Sequence, residues 1–251
     1  MTHPVSVFLI TLNEAARLPR TLAALSWADE IVVVDSGSTD DTVTIAEASG
    51  ARVVHREFDG YGPQKLFAEG LCRNDWILNV DADEVVTSEL AVEIQQVSKG
   101  APCAMQVRIL NVYPGDTAPR PWANDYNVVR LYHRSIGGYH DHKLFDRVAH
   151  TGTPGQLTGT IHHFPLTSWA HFVEKENRYS SYAADTAKPR GRTALLLRLP
   201  LEMPLTFLKF YLARRHFTGG WKGFMFALTA AFARTLRLAK MLERQDPRDV
   251  D

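Results

Sequence analysis

The sequence is poor in cysteine, in long apolar runs and in glycine where a nucleotide loop would need it, and each shortage removes a class of function. Two cysteines, Cys72 and Cys103, supply neither a disulfide framework nor metal-finger spacing, and read as reduced thiols of a cytosolic chain. No stretch approaches the ~18 apolar residues of a membrane span; the longest candidate, Gly223 to Ala233, lies between Lys222 and Arg234. The apolar start, Val5 to Ile10, lacks a basic flank and a small-residue cleavage site, so no secretory leader is expected. The loop after it, Thr11-Leu12-Asn13-Glu14, contains no glycine. The dinucleotide fingerprint G-x-G-x-x-G is therefore absent there, and no G-x-x-x-x-G-K-[ST] loop occurs, which argues against a nicotinamide dehydrogenase and a P-loop enzyme.

Formal net charge is zero over 251 residues, but the charge is unevenly placed. Residues 1–187 carry 15 Lys/Arg against 23 Asp/Glu, an excess of eight negative charges; residues 188–251 carry 13 against 5, an excess of eight positive ones. An acidic body with a basic, apolar tail points to an anionic surface, or to a tail that docks on its own body. Nothing in the sequence points to nucleic acid.

Hydrophobic residues make up 45%, enough for a full core. Val5–Thr11, Ile31–Asp35, Arg52–His55 and Trp76–Val80 read as strands. Between them lie helical segments: one capped by Asn13 with Leu18, Leu22 and Leu25 on one face, one capped by Ser38 or Thr39 and ending at Gly50, one opened by Pro63, and a fourth capped by Ser88. Such alternation predicts an α/β fold with a mostly parallel sheet, whose ligands bind beyond the carboxyl ends of the strands. After Val112 the pattern loosens, a strand at Val128–Tyr132 follows, and from about Phe172 the chain reads as helical. The expected division is 1–187 for the α/β domain and 188–251 for a helical, basic and apolar region.

Three acidic or polar clusters fall at strand ends: Thr11–Glu14, Asp35–Asp41 and Asp81–Glu84. In extended chain, residues two apart point the same way. Asp81 and Asp83 held together repel unless a cation sits between them, and Mg²⁺ or Mn²⁺ suits oxygen ligands and retains waters and phosphates. An isolated D-x-D is more often a solvated acidic turn; its place at the end of an apolar strand reverses that preference. Asp35 is placed for nucleotide hydroxyls or a base edge, or for capping the turn Ser36-Gly37-Ser38. Lys65 is a candidate for phosphate charge, or an ordinary surface lysine. His163 is a candidate metal or phosphate ligand, although a lone histidine is more often structural; His162 has less claim.

These segments together resemble family 2 glycosyltransferases: Val5–Asn13 with Glu14, Ile31–Asp41 (IVVVDSGSTDD) and Trp76–Glu84 (WILNVDADE). Gly60-Tyr61-Gly62-Pro63-Gln64-Lys65 is similar to the branch that includes the lipopolysaccharide core glucosyltransferases, and weaker likeness continues through Arg130-Leu131-Tyr132, Gly159–Phe164 and Lys175–Tyr179. The resemblance implies the GT-A fold, a nucleotide-diphosphate sugar donor, a glycan or lipid-linked acceptor and a divalent metal. It implies that Thr11, Asn13 or Glu14 and Asp35 hold the nucleotide, that Asp81 touches ribose or metal, and that Asp83 ligates the metal. The base in this branch is the acid of a His-Glu or His-Asp pair, which falls on Phe145-Asp146, where the histidine is not kept; Asp141, between His140 and His142, is the rival. The Gln-x-x-Arg-Trp sequence of processive members is missing.

The expected function is thus metal-dependent, inverting, non-processive transfer of a sugar, with UDP-hexose the expected donor. A nucleotidyltransferase and a non-catalytic sugar-nucleotide binding module are the alternatives. Residues 195–240, with Trp221 among Leu, Phe and Met and with Arg198, Lys209, Arg214, Arg215, Lys222, Arg234, Arg237 and Lys240, are expected to place the chain peripherally on the inner face of the cytoplasmic membrane. Pro200 and Pro204 are expected to bend that region into short helices.

Overall fold

The computed structural model describes residues 4–123, 125–141 and 146–245. The chain divides into two compact units, Met1–Asn111 with Asp125–Pro165, and Val112–Asn124 with Leu166–Asp251. The 187/188 boundary read from charge falls inside the second unit, because the loop before the β7 strand and the helix at Trp169 both cluster with the tail.

The first unit is built on strands β1 (Val5–Thr11), β2 (Glu30–Asp35), β3 (Arg52–His55), β4 (Trp76–Asn79), β5 (Glu84–Val86), β6 (Ala104–Asn111), β7 (Asp125–His133), the two-residue pair β8 (Gly137–Gly138) and β9 (Ala149–His150), and β10 (Gly155–His163). Eight form one sheet in the order β3-β2-β1-β4-β7-β6-β10-β5, and β8 pairs with β9. β3, β2, β1 and β4 are parallel, as the strand–helix alternation requires. β7 runs antiparallel between β4 and β6, so the sheet is mixed beyond β4.

Helices α1 (Leu18–Ala23), α2 (Thr42–Ala48), α3 (Tyr61–Leu71) and α4 (Ser88–Val97) complete this unit. β1 is apolar on both faces: Val5, Val7 and Leu9 join one core cluster with Leu18, Leu22, Leu90 and Ile94. Phe8 joins a second cluster on the other face, with Ala68 of α3. This two-sided burial is why β1 and β2 read as continuous hydrophobic runs rather than alternating ones.

Three cap assignments made from sequence shift. Asn13 does not cap α1; the N-cap is Arg17, and Asn13 sits at φ 55° with its side chain directed to Thr39. Neither Ser38 nor Thr39 caps α2, which starts at Thr42 after Asp41, because the loop uses Ser38 for other bonds. Thr87, not Ser88, caps α4, accepting from Leu90 N. Gly50, at φ +84°, follows α2 as expected for a chain leaving a helix.

The second unit contains α5 (Trp169–Asp185), α6 (Arg192–Leu208), a π-helical turn at Lys209–Ala213, a 3-10 turn at His216–Gly219 and α7 (Gly220–Glu243). α6 runs unbroken through Pro200 and Pro204, contrary to the expected short helices. Spaced four apart, the two prolines lie on one exposed side, so both missing N–H groups fall where neighbouring carbonyls meet solvent. Among the described residues no helix is long and apolar enough to cross a membrane.

Candidate active site

The carboxyl ends of β1 and β2 are laced together by their loops. Asn13 N–H donates to Ser38 Oγ at 2.8 Å, and Asn13 Oδ1 accepts from Thr39 N at 2.8 Å. Glu14 N–H donates to Thr42 Oγ1 at 2.7 Å. Asp35 is buried, and its carboxylate accepts from Gly37 N at 2.9 Å, Ser38 N at 2.8 Å, Ser38 Oγ at 2.5 Å and Thr11 Oγ1 at 3.0 Å. Burial would raise its pKa, but these donors outweigh that and hold it below the ordinary value. The Asp35 oxygens that the sequence offers to a nucleotide are thus engaged by the turn, as in the capping alternative. Glu14 is similarly engaged, clamped by Arg17 at 2.7 and 2.5 Å. Burial raises the Glu14 pKa against the pull of Arg17.

A cleft of about 300 Å³ opens beside this lacework, lined by Ile10, Thr11, Leu12, Glu14, Ser36, Phe58 and Tyr61. Phe58 and Tyr61 meet edge to face, 5.1 Å between centroids, and both are exposed. An apolar slot with aromatic walls and a few polar groups is a setting for a planar base.

The segment Gly60–Lys65 acts through α3. Gly60 takes φ +135°, which favours glycine, and its carbonyl accepts the first-turn bond from Gln64 N. Gln64 is buried and donates to Ser36 Oγ and to the Arg56 carbonyl, both at 3.1 Å. Lys65 is buried as well, 1% exposed, so it is not the surface lysine of the simplest reading. Its Nζ lies 2.9 Å from Asp81 Oδ1 and 3.2 Å from Asp146 Oδ2. Burial opposes its charge, but Asp81 prevails and the Lys65 pKa is raised.

Asp81 and Asp83 lie beyond the strand and meet different partners. β4 ends at Asn79 and the chain turns at Ala82–Asp83, so the strand's two-residue period no longer holds. Asp81 gives one oxygen to Lys65 and the other to Arg130, the latter at 2.8 Å, so a metal ion bound there would share oxygens already paired. Burial pushes its pKa up, but Arg130 and Lys65 carry it well below the carboxylate range. Asp83 instead faces Arg17 NH1 at 3.2 Å and His163 Nε2 at 3.3 Å.

Arg130 projects from β7, which pairs with β4 in the register that sets Leu131 opposite Leu78. The guanidinium bonds Asn79 Oδ1, Asp81 Oδ2 and, at 2.6 Å, Glu84 Oε1. Tyr139 O–H donates to Asn79 Oδ1 at 2.8 Å. Glu84 also accepts from Asp81 N at 2.9 Å. Its pKa is raised, chiefly by burial and further by Asp81, against the attraction of Arg130. Arg17, Asn79, Glu84, Arg130 and Tyr139 had no assigned role in the sequence reading. An Arg buried on a strand and a third acid in Asp81–Glu84 were the available signals, since each must find a partner when buried.

His163 ends β10 between two neighbouring strands, opposite Asn111 of β6 and Glu84 of β5. Nδ1 is 2.8 Å from Asn111 Oδ1 and donates to it, while Nε2 faces Asp83 Oδ2 at 3.3 Å, donating to it when the ring is protonated and offering its lone pair to a cation when the ring is neutral. Burial lowers the His163 pKa, but Asp83, then Glu84 and Asp81, raise it further than burial lowers it. His162 lies on the other side of the strand and its pKa is lowered by burial.

Among the described residues no three His, Cys, Asp or Glu side chains are grouped to hold a metal. Asp83 and His163 together form a two-ligand set of O and N donors, with an outer-shell partner in Asn111. That set fits Mg²⁺ or Mn²⁺, which complete their shells with water and phosphate oxygens. Asp146 reaches the site through Lys65; Asp141 is exposed and makes no ion pair among the described residues. Phe145 and His142, used to count along to these acids, lie outside the described residues.

The family model for glycosyl transferase family 2 matches residues 6–160, a span that contains the strand ends described above except that of β10 at His163. The chain belongs to glycosyl transferase family 2. It is 39% identical over 94% of its length to an uncharacterized glycosyltransferase of Rickettsia prowazekii, covering 86% of that protein. It is 31% identical over 96% of its length to the lipopolysaccharide core biosynthesis glycosyltransferase LpsC of Rhizobium meliloti, covering 93% of it. Among solved structures, glucosyl-3-phosphoglycerate synthase of Mycobacterium tuberculosis, in complex with Mn²⁺, UDP and glucosyl-3-phosphoglycerate, aligns over 45% of each chain at 30% identity, with a TM-score of 0.36. The protein is thus an enzyme, a glycosyltransferase, and its first unit is a sheet flanked by helices of the GT-A type.

Proposed function

We propose that the enzyme transfers a hexose from a UDP-hexose to a hydroxyl of a lipid-linked or lipopolysaccharide-type acceptor, by a single inverting displacement without processive elongation. The observation that carries this reading is the ionic lattice at the carboxyl end of β4, beside the aromatic-walled cleft: Lys65, Asp81, Arg130 and Glu84 on one side, Arg17, Asp83 and His163 on the other. The kinship with LpsC supports the acceptor class.

In this reading the nucleotide base enters between Phe58 and the β1 loop, and Thr11, Asn13, Glu14 and Asp35 serve it by shaping the loop. Asp83 and His163 would hold a divalent cation, which would neutralise charge on the leaving diphosphate. Asp146 is the base: it takes the proton of the acceptor hydroxyl as that oxygen attacks the anomeric carbon. Lys65 positions Asp146, and it holds Asp81 with the same amine. Asp141 has no comparable link and is the weaker candidate. The protein's contribution is alignment and preorganised charge.

Incubation with a panel of UDP-sugars and Mn²⁺ tests the proposal. UDP-hexose at 100 times its Kd should add about 2.7 kcal/mol of stability, and UDP should be released faster when a core-type acceptor is present. Release of pyrophosphate from a nucleoside triphosphate instead would identify a nucleotidyltransferase. Binding without any release of UDP would leave a non-catalytic module.

A further inference from the structure

α6 is built inside out. Its buried residues are Leu195, Glu202 and Thr206, whereas Leu197, Leu201 and Leu205 are 71%, 56% and 61% exposed. The exposed leucines continue at Leu208 and Leu212, and with Leu196 they cover a broad stripe along the helix and the π-helical turn after it. A water-facing helix would carry the reverse pattern. The stripe is not bare of charge. Leu197, Leu201 and Leu205 line a cleft of about 540 Å³ in which Arg198, Lys209 and Arg234 also converge. Arg198 is paired with Glu202 at 2.6 Å, and among the described residues Lys209 and Arg234 have no carboxylate at ion-pair distance. Next to Arg234 on α7, Arg237 has a buried Nε without a hydrogen-bond partner. Arg190, Arg198 and Arg234 all act on Arg237 with like charge, and only Glu202 opposes them.

We propose that this face of the helical unit docks on an anionic lipid bilayer, with the leucine stripe of α6 among the acyl chains and a lipid phosphate held in the cleft by Arg198, Lys209 and Arg234. The chemistry of the two halves selects the occupant. A soluble anion would satisfy the cations but leave the leucines in water. A second copy of the chain would cover the leucines, but would bring the same basic cluster and meet repulsion. An anionic bilayer satisfies both, since phosphate lies one head-group depth above hydrocarbon. Docking does not depend on the glycosyl-transfer reading, and it is measured without any sugar donor.

The experiment is co-sedimentation of the full chain with phosphatidylglycerol or phosphatidylcholine vesicles, repeated with about 20 mM inorganic phosphate at matched ionic strength. Binding to phosphatidylglycerol should exceed that to phosphatidylcholine by roughly tenfold and fall with salt. Lys209→Ala and Arg234→Ala should each weaken it about fivefold. Leu201→Glu with Leu205→Glu should abolish it, and because both leucines are exposed the circular dichroism and unfolding temperature should be unchanged. Three results would overturn the proposal: no binding to anionic vesicles at low salt, displacement by inorganic phosphate, or a wild-type dimer that the paired glutamates convert to monomer. If the glutamate pair proves unfolded, Leu201→Ser with Leu205→Ser replaces it, and undiminished binding by that variant counts equally against docking.

Discussion

Lys65 Nζ stands 3.2 Å from Asp146 Oδ2, an ion pair between residues 81 positions apart. Lys65 is buried, while Asp146 is half exposed, so the amine is fixed and the carboxylate reaches out from it to solvent. A carboxylate so placed is oriented from one side and open to a hydroxyl on the other.

Replacing that carboxylate tests its role. Asp146→Asn should reduce turnover by roughly 10²–10⁴ while leaving UDP affinity unchanged, the usual worth of general-base catalysis. Asp141→Asn should be close to wild type. The reverse pattern in steady-state kinetics would transfer the base to Asp141.

Lys65 itself is a matter of stability as much as of chemistry. Lys65→Met leaves the part-exposed Asp81 with Arg130 as its one cation, and about 1–3 kcal/mol of stability should be lost, less than for a fully buried pair because solvent reaches Asp81. Denaturant unfolding measures this. A loss below ~1 kcal/mol would mean that Arg130 alone sustains Asp81.

Asp35→Ala should now act on the fold of the loop before it acts on the ligand. It orphans Gly37 N, Ser38 N and two hydroxyls at once, and about 1–3 kcal/mol should be lost for the buried donors. Calorimetry with UDP alongside thermal unfolding separates the effects. Weakened UDP binding with an unchanged unfolding temperature would restore a direct contact for Asp35.

The pair of His163 and Asp83 carries a pH signature. His163 is raised above its unfolded value of ~6.5, so its link to Asp83 stabilises the protein fully below that pH and is lost as pH rises through the raised folded value. A metal ligand must be neutral, so Mn²⁺ affinity should rise over the same interval. Titration with Mn²⁺ from pH 6 to 8.5 should show that increase in wild type and a flat, weak response in His163→Ala. Asp83→Ala should bind no Mn²⁺ and abolish transfer. Metal affinity independent of pH in wild type would remove His163 from the coordination set.

Most of the first unit was legible because its strands are covered on both faces and its helices on one, which leaves continuous apolar runs at Val5–Thr11, Glu30–Asp35 and Trp76–Asn79 and one-sided apolar faces on the helices between them. The site was legible only in part. Local sequence placed Asp81, Asp83 and His163 at strand ends. It could not tell which cation each would meet, since Lys65, Arg130 and Arg17 arrive from α3, β7 and the α1 turn. The period-two argument for Asp81 and Asp83 did not reach them, because β4 stops at Asn79, one residue before the expected end at Val80. For Asp35 the sequence left nucleotide and turn cap both open, and four donors hold its carboxylate in the turn. The prolines of α6 misled because breaking a helix depends on where the lost N–H groups point, which the sequence does not state.

Gln64 and Lys65 are neighbours in the chain but serve different groups, one holding Ser36 of the cleft wall and the other holding Asp81 and Asp146. A helix advances about 100° per residue, so their directions are locked to each other and to the turn that begins at Gly60. Adding or deleting one residue between Gly60 and Lys65 would swing both side chains away from their targets together. The spacing of that segment is thus a gauge block: its length is fixed as firmly as the identities of Gly60, Gln64 and Lys65.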